Sequence, residues 1–126
     1  MQVSAMSPGA RHILLCVCGG IAAYKSAELV RRLRDDAKTV VIVAMTENAQ
    51  RFVGAQTFQA LSGQPVRTSL WDASAEAAMG HLELAHWADQ VIIAPATANC
   101  IAKLAHGLAD DIVSTVCLAT TAPIAI

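Results

Sequence analysis

The sequence has few aromatic residues and no long apolar run. Aromatic side chains make up 4% of the 126 residues, whereas hydrophobic residues of all kinds make up 55%. The apolar content is therefore mainly Ala, Val, Ile and Leu, which is typical of parallel strands that helices cover on both faces. No apolar run approaches the ~20 residues of a membrane-spanning helix, so we expect no membrane partner.

The sequence also lacks an excess of either charge. The net charge is −1 at pH 7, and no basic face is visible, which argues against nucleic acid or anionic lipid as a partner. Residues 1–10 have neither the basic start nor the apolar centre of a signal peptide, so we expect a cytoplasmic protein. The length fits one domain, which we place at residues 12–126 after a leader at residues 1–11.

The cysteines and histidines do not form a metal-binding pattern. The four cysteines contain no CxxC pair, and the four histidines have no ligand spacing. We therefore predict no metal, and we interpret the cysteines as buried small apolar residues. They are Cys16, Cys18, Cys100 and Cys117.

Apolar segments alternate with helical patterns along the chain. Strands are predicted at residues 12–18, 39–44, 65–67 (a short edge strand), 91–94 and from 122 onward, and helices at 21–34, 46–53, 57–61, 80–89, 100–105 and 112–119. Residues 71–79 are predicted to be a loop with some helical character. The alternation predicts an α/β fold: a three-layer sandwich with a Rossmann-like parallel sheet, helices on both faces and right-handed crossovers.

Three loops with small or polar residues follow the first three long strands. Gly19-Gly20 follows the first, Thr46-Glu47-Asn48 the second, and Thr97–Cys100 the third. Taken singly, each has a purely structural interpretation, as a tight turn or as a helix cap by Thr46, Thr97 or Asn99. The glycine pair is neither GxGxxG nor a P-loop. Because these loops converge on one sheet edge, together they predict a cofactor that bears a phosphate.

The amino-acid sequences of several segments resemble those of a known family. GGIAAYK (19–25), GHLELAHWAD (80–89) and APATANCIAKLAHGLADD (94–111) are similar to the flavin-dependent phosphopantothenoylcysteine decarboxylases, which belong to the homo-oligomeric flavin-containing cysteine decarboxylase family. The resemblance implies FMN as the cofactor. It assigns flavin contacts to Gly19, Gly20 and Ile21 in the first loop, Thr46 and Asn48 in the second, and Thr97, Ala98, Asn99 and Cys100 in the third.

The same resemblance implies a catalytic role for His81. Without the surrounding motif, a surface or core histidine would be the better interpretation. With it, His81 becomes the proton acceptor in conversion of (R)-4′-phospho-N-pantothenoylcysteine to 4′-phosphopantetheine, a step of coenzyme A biosynthesis. In bacteria the domain is usually the N-terminal half of a bifunctional protein, and members assemble as homotrimers or dodecamers. Asp110 and Asp111 match a family segment that we interpret mainly as a helix N-cap.

The family pattern continues beyond what is present. Members carry a Pro-Ala-Met-Asn motif and a flap with a reactive cysteine, and neither occurs in the 126 residues. We therefore expect a C-terminally incomplete domain whose turnover on its own is open. Two alternatives remain: a non-catalytic module for flavin binding and assembly, and a flavin prenyltransferase of similar fold.

Overall fold

A computed structural model describes residues 9–71 and 79–126. Its strands are β1 (Arg11–Val17), β2 (Thr39–Met45), β3 (Gln90–Ile93) and β4 (Ile124–Ala125). Its helices are α1 (Ala23–Leu33), α2 (Ala55–Ser62), α3 (His81–Trp87), α4 (Ala98–His106) and α5 (Ile112–Ala119), with a 3₁₀ turn at Asn48–Arg51. Most predicted elements are confirmed within a few residues at each end, and α5 has the predicted bounds. The helix predicted at 46–53 is only the short 3₁₀ turn.

The strands form one parallel sheet in the order β2-β1-β3-β4. The chain moves from β1 to one side to form β2, and then crosses to the other side of β1 to form β3. The strand order therefore reverses direction between β1 and β3. In open α/β sheets, such a switch point is where a crevice forms beyond the carboxyl ends of the strands.

Helices cover both faces of this sheet. Because side chains alternate along a strand, Leu14 and Cys16 of β1 pack into the core beneath α3, α4 and α5, whereas Leu15 and Val17 pack into the core beneath α1 and α2. All four side chains are fully buried. The predicted three-layer sandwich is confirmed, and the unbroken apolar run from Ile13 to Val17 in β1 is explained by burial on both faces.

The inner face of α1 includes one polar residue. Ala23, Ser26 and Val30 are buried, whereas Ala22 is exposed and precedes the helix. The Ser26 hydroxyl donates a hydrogen bond of 2.7 Å to the carbonyl oxygen of Ala94. A polar residue can lie on this inner face because its hydroxyl has an acceptor there.

One side of α4 packs against the core. Ile101 and Ala105 are exposed, and the helix packs inward through Cys100 and the partly buried Leu104. Residues 100 and 104 are one helical turn apart and so share a face. Ile101 and Ala105 lie about 100° further round the helix, which turns them away from the core.

The segment after α2 forms less strand than expected. Within residues 9–71, the predicted edge strand at 65–67 is reduced to a single parallel bridge between Arg67 and Ala44. Most of the predicted loop at 71–79 lies outside the described residues, which omit 72–78. In the ranges that the structure covers, the helices are too short or too polar to span a lipid bilayer.

Candidate cofactor-binding site

The carboxyl ends of β1, β2 and β3 open onto one cavity of about 660 Å³. Loops that are distant in sequence meet there, because each follows a neighbouring parallel strand at the switch point. The described residues that line the cavity are Gly19, Thr46, Glu47, Asn48, Arg51, Thr97, Asn99, Cys100, Lys103, Asp110 and Asp111.

The first two loops touch at Gly19. A Cβ atom built on Gly19 would lie 2.5 Å from Asn48 Nδ2, 2.7 Å from Asn48 Cβ and 2.8 Å from the Asn48 backbone carbon. These distances are shorter than a side chain tolerates, so the two loops approach closely only because residue 19 is glycine. By contrast, a Cβ on Gly20 would meet nothing within 4 Å. Of the glycine pair, Gly19 is therefore the one that the geometry requires.

Two threonines cap the helical turns beside the cavity. Thr46 Oγ1 accepts a hydrogen bond of 3.2 Å from the Ala49 backbone N–H, and Thr97 Oγ1 accepts one of 3.2 Å from the Cys100 N–H. In each bond the hydroxyl uses an oxygen lone pair, so its proton remains available for donation. Thr97 is the N-cap of α4, whereas Thr46 makes its bond from one residue before Glu47, the N-cap position of the 3₁₀ turn. Each hydroxyl can serve as a cap and as a donor to an anion at the same time.

The far part of the cavity carries a compact charge cluster. Lys103 Nζ lies 2.9 Å from Asp110 Oδ1 and 3.0 Å from Asp111 Oδ2. The hydrogen bond to Asp110, and then that to Asp111, raises the pKa of Lys103. With two carboxylates for one ammonium, this cluster does not attract an anion. An anionic group is therefore expected at the loops that carry neutral donors and the N-terminus of α4.

Asp111 also begins α5, as the sequence predicted. Its Oδ1 accepts a hydrogen bond of 2.7 Å from the Ser114 backbone N–H, and Ser114 Oγ accepts one of 3.2 Å from the Asp111 N–H. Burial would raise the pKa of Asp111. The bonds from Ser114 and from Lys103 outweigh burial, so the pKa lies below its ordinary value. Asp111 is therefore a charged capping residue that lines the cavity.

Four thiols lie at or behind the cavity wall. Cys16, Cys18, Cys100 and Cys117 are buried and free, and Cys100 is also among the lining residues. Burial raises the pKa of Cys18, and it raises the pKa of Cys100 to about 12. Because the thiolate is the nucleophilic form, Cys18 and Cys100 are poor nucleophiles at neutral pH. The burial that the sequence predicted for the cysteines is confirmed.

The structure brings most of the predicted flavin contacts together. Gly19, Thr46, Asn48, Thr97, Asn99 and Cys100 line the cavity. Gly20, Ile21 and Ala98 are not among its described lining residues, and the Ile21 side chain is 82% exposed. Glu47, Arg51 and Lys103 line the cavity but were not predicted. The only sequence signal for them was their position one residue or one turn from a predicted contact.

His81 is the first residue of α3 and is half-buried. The helix begins with a backbone bond of 2.9 Å from the Leu84 N–H to the Gly80 carbonyl oxygen. His81 is not among the described residues that line the cavity. Its catalytic role therefore stays a prediction, and the chain by itself does not bring the imidazole into the cavity wall.

Comparison with known proteins agrees with this architecture. The flavoprotein family model matches residues 2–126. The coenzyme A biosynthesis bifunctional protein CoaBC of Escherichia coli strain K12 is 60% identical over 121 residues, which cover 96% of this chain and 30% of that protein. CoaBC of Bacillus subtilis strain 168 is 48% identical over 114 residues, which cover 90% of this chain and 28% of that protein. The chain thus spans about 30% of the length of these curated relatives.

Solved structures share the fold. The FMN-dependent cysteine decarboxylase SpaF superimposes with a TM-score of 0.81 at 31% identity, covering 94% of this chain and 67% of that one. A variant PPC decarboxylase in complex with pantothenoylaminoethenethiol gives a TM-score of 0.70 at 25% identity, covering 91% of this chain and 64% of that one. The layers and sheet around the cavity are therefore those of a flavin-dependent decarboxylase.

Proposed function

The chain belongs to the flavoprotein family, and from this we propose that it is a carboxy-lyase that binds FMN and decarboxylates (R)-4′-phospho-N-pantothenoylcysteine to 4′-phosphopantetheine in coenzyme A biosynthesis. The observation that carries the proposal is the convergence of three strand-end loops on one cavity beside the N-terminus of α4. The relatives named for coenzyme A biosynthesis support the choice of substrate.

The loops fit the phosphate end of FMN. The hydroxyls of Thr46 and Thr97 and the side-chain amides of Asn48 and Asn99 are neutral donors, and the first turn of α4 adds free backbone N–H groups. Gly19 allows the backbone to approach because it has no Cβ. When bound, FMN supplies the oxidation of the cysteine moiety that makes loss of its carboxylate feasible. The protein's own residues bind and orient both molecules.

His81 is proposed as the proton acceptor, because a histidine can take up a proton near neutral pH. Its position outside the described cavity lining favours a site that a second copy of the chain completes. We therefore also propose a homo-oligomer, a homotrimer or dodecamer. Support comes from exposed apolar side chains next to both parts of the site: Ile21 (82%) and Tyr24 (61%) follow the first loop, and Leu82 (56%) follows His81.

A cytoplasmic location completes the proposal. All four cysteines are free thiols, which is the usual state in a reducing compartment. The relatives are named as coenzyme A biosynthesis proteins, which agrees with a cytoplasmic location.

The first test is the visible spectrum of the purified chain with FMN, followed by release of carbon dioxide from the proposed substrate. We expect flavin absorption in both the wild type and His81→Asn, and carbon dioxide from the wild type alone. A folded chain that stays colourless with excess FMN would overturn the cofactor assignment. Equal turnover by His81→Asn would remove His81 from the mechanism.

A flavin-binding module without turnover is the second candidate. It is favoured by the placement of His81 outside the described cavity lining. Retention of yellow FMN by the wild type without release of carbon dioxide would select it. Analytical ultracentrifugation of the same sample decides the oligomeric state, and a monomer would exclude the shared site.

A further inference from the structure

Arg67 is a buried arginine whose backbone is bound to the end of β2. The residue is 7% exposed. Its N–H donates to the Val43 carbonyl oxygen at 2.9 Å, and its own carbonyl accepts from the Met45 N–H at 2.8 Å. The next residue after β2 is Thr46, which lines the cavity. The main chain of Arg67 is thus fixed to the strand that carries the second cofactor loop.

The side chain of Arg67 reaches a different part of the site. Its Nη1 donates a hydrogen bond to the carbonyl oxygen of Met79. Met79 stands directly before Gly80, whose carbonyl accepts the first helical bond of α3, and before His81, which begins that helix. The bond from Arg67 therefore holds the backbone immediately before α3.

The chemistry of this contact makes it a rigid one. A guanidinium is planar, stays charged at all physiological pH values and presents its donors in a fixed fork. A hydrogen bond from a charged donor is stronger than a neutral one, and more so when water is excluded. The backbone of Arg67 is bound to β2, and its guanidinium is bound to the segment before α3. The residue therefore fixes the distance between β2 and the start of α3.

We propose that Arg67 is a positioning residue that holds the start of α3, and with it His81, in place relative to the end of β2 and the loop at Thr46. The part that concerns catalysis rests on the role proposed above for His81. The connection between the two segments rests only on the contacts of Arg67. The two parts can therefore fail separately.

The test compares two arginine-to-methionine variants. Arg67→Met keeps an unbranched apolar stem and leaves the backbone bonds to β2 available, so it removes the polar contacts of the guanidinium, among them the bond to Met79. Arg34→Met is the matched control, because Arg34 Nη1 also donates to a backbone carbonyl, that of Leu61, at 2.6 Å. That bond joins the end of α1 to α2, on the other face of the sheet from α3.

The primary readout is amide hydrogen exchange in α3 without FMN. We expect the Leu84 amide and those after it in α3 to exchange at least about tenfold faster in Arg67→Met than in the wild type, because local opening is easier when the backbone before the helix is released. Arg34→Met should leave exchange in α3 unchanged. Wild-type exchange of α3 in Arg67→Met would overturn the proposal.

The second readout separates positioning from a general loss of structure. With FMN and substrate, Arg67→Met should lower kcat about tenfold and change KM less than about twofold, because the loops that bind ligands remain while His81 moves. Equal changes in both variants would assign Arg67 a merely structural role. If Arg67→Met does not fold, Arg67→Gln, which is polar but too short to reach Met79, decides by the same exchange measurement. Failure of the chain to bind FMN would refute the proposed function and leave the exchange result valid.

Discussion

At the scale of single residues, Gly19 decides whether the first two loops can touch. The sequence presented two adjacent glycines and no means to rank them, and only the position of Asn48 against Gly19 distinguishes them. The sequences of the loops predicted that Thr46, Asn48 and Thr97 belong to the site, and all three line the cavity. It did not predict Lys103, because the lysine's cavity position depends on Asp110 and Asp111, which arrive from the start of another helix.

Gly19→Ala should destabilise the fold, because the new methyl group would meet Asn48 at 2.5 to 2.8 Å. Overpacking of this kind costs about 1–3 kcal/mol. Urea unfolding measures the change. Gly20→Ala is the control, since its methyl group meets nothing within 4 Å. Equal stability of Gly19→Ala and wild type would mean that the loop at Asn48 shifts freely.

At the scale of elements, α4 and α5 both begin with a side-chain cap at the cavity edge. The sequence predicted a cap at the start of each helix. It left Thr97 and Asn99 as alternatives for α4, and Asp110 and Asp111 as alternatives for α5. The structure selects Thr97 and Asp111, because a cap needs an extended backbone and an acceptor near the N–H of the third helical residue. The true length of α4 was underestimated for the same reason: Ala98 and Asn99 belong to the helix once Thr97 is its cap.

Thr97→Ala should lower the free energy of unfolding by about 1 kcal/mol, the usual cost of removing a threonine N-cap. The bond lost is the one of 3.2 Å from the Cys100 N–H. Thr97→Ser keeps the hydroxyl and should restore most of the stability. Thermal or urea unfolding of the three proteins makes the comparison. Loss of stability in both variants would point to the threonine methyl group instead of the cap.

The contacts of Asp111 with Ser114 and Lys103, and those of Lys103 with Asp110 and Asp111, should make stability depend on pH at both extremes. The pKa of Asp111 is depressed, so its contribution is complete above about 3.9, the unfolded value, and is lost as pH falls through the lower folded pKa. The pKa of Lys103 is raised, so its contribution is complete below about 10.4 and is lost as pH rises through the folded pKa.

Asp111→Asn tests the acid side of this dependence. Asn is as good an N-cap as Asp, so the helix keeps its first bond while the ion pair with Lys103 is lost. We expect a loss below about 1 kcal/mol near pH 7, because both side chains are partly exposed. The variant and wild type should converge as pH falls below the folded pKa of Asp111. A stability difference that persists unchanged at low pH would contradict the ionic origin.

At the scale of the whole molecule, burial on both faces of the sheet accounts for the composition. The central positions of the strands need apolar residues because helices cover both sides. The four cysteines, at most 6% exposed, belong to this core, and Cys100 reaches the cavity from it. Their reactivity therefore reports on the integrity of the whole fold.

The native chain should resist thiol reagents, and the unfolded chain should react at all four cysteines. Burial excludes the reagent, and the raised pKa of Cys18 and Cys100 lowers the thiolate fraction further. Labelling with a chromogenic disulfide, with and without urea, measures both states. Rapid labelling of any cysteine under native conditions would show that the core beside the cavity opens locally.

By itself, the sequence determined the class of fold, the order of the elements and the three loops of the site. These features follow from local signals, since apolar runs, glycine turns and helix caps each depend on residues that are close together in the sequence. Only the tertiary structure decided that Gly19 lies against Asn48, that Lys103 is held between two carboxylates, and that Arg67 reaches Met79. Each of these contacts joins residues whose distance in space is set by the packing of strands and helices, which no local pattern records.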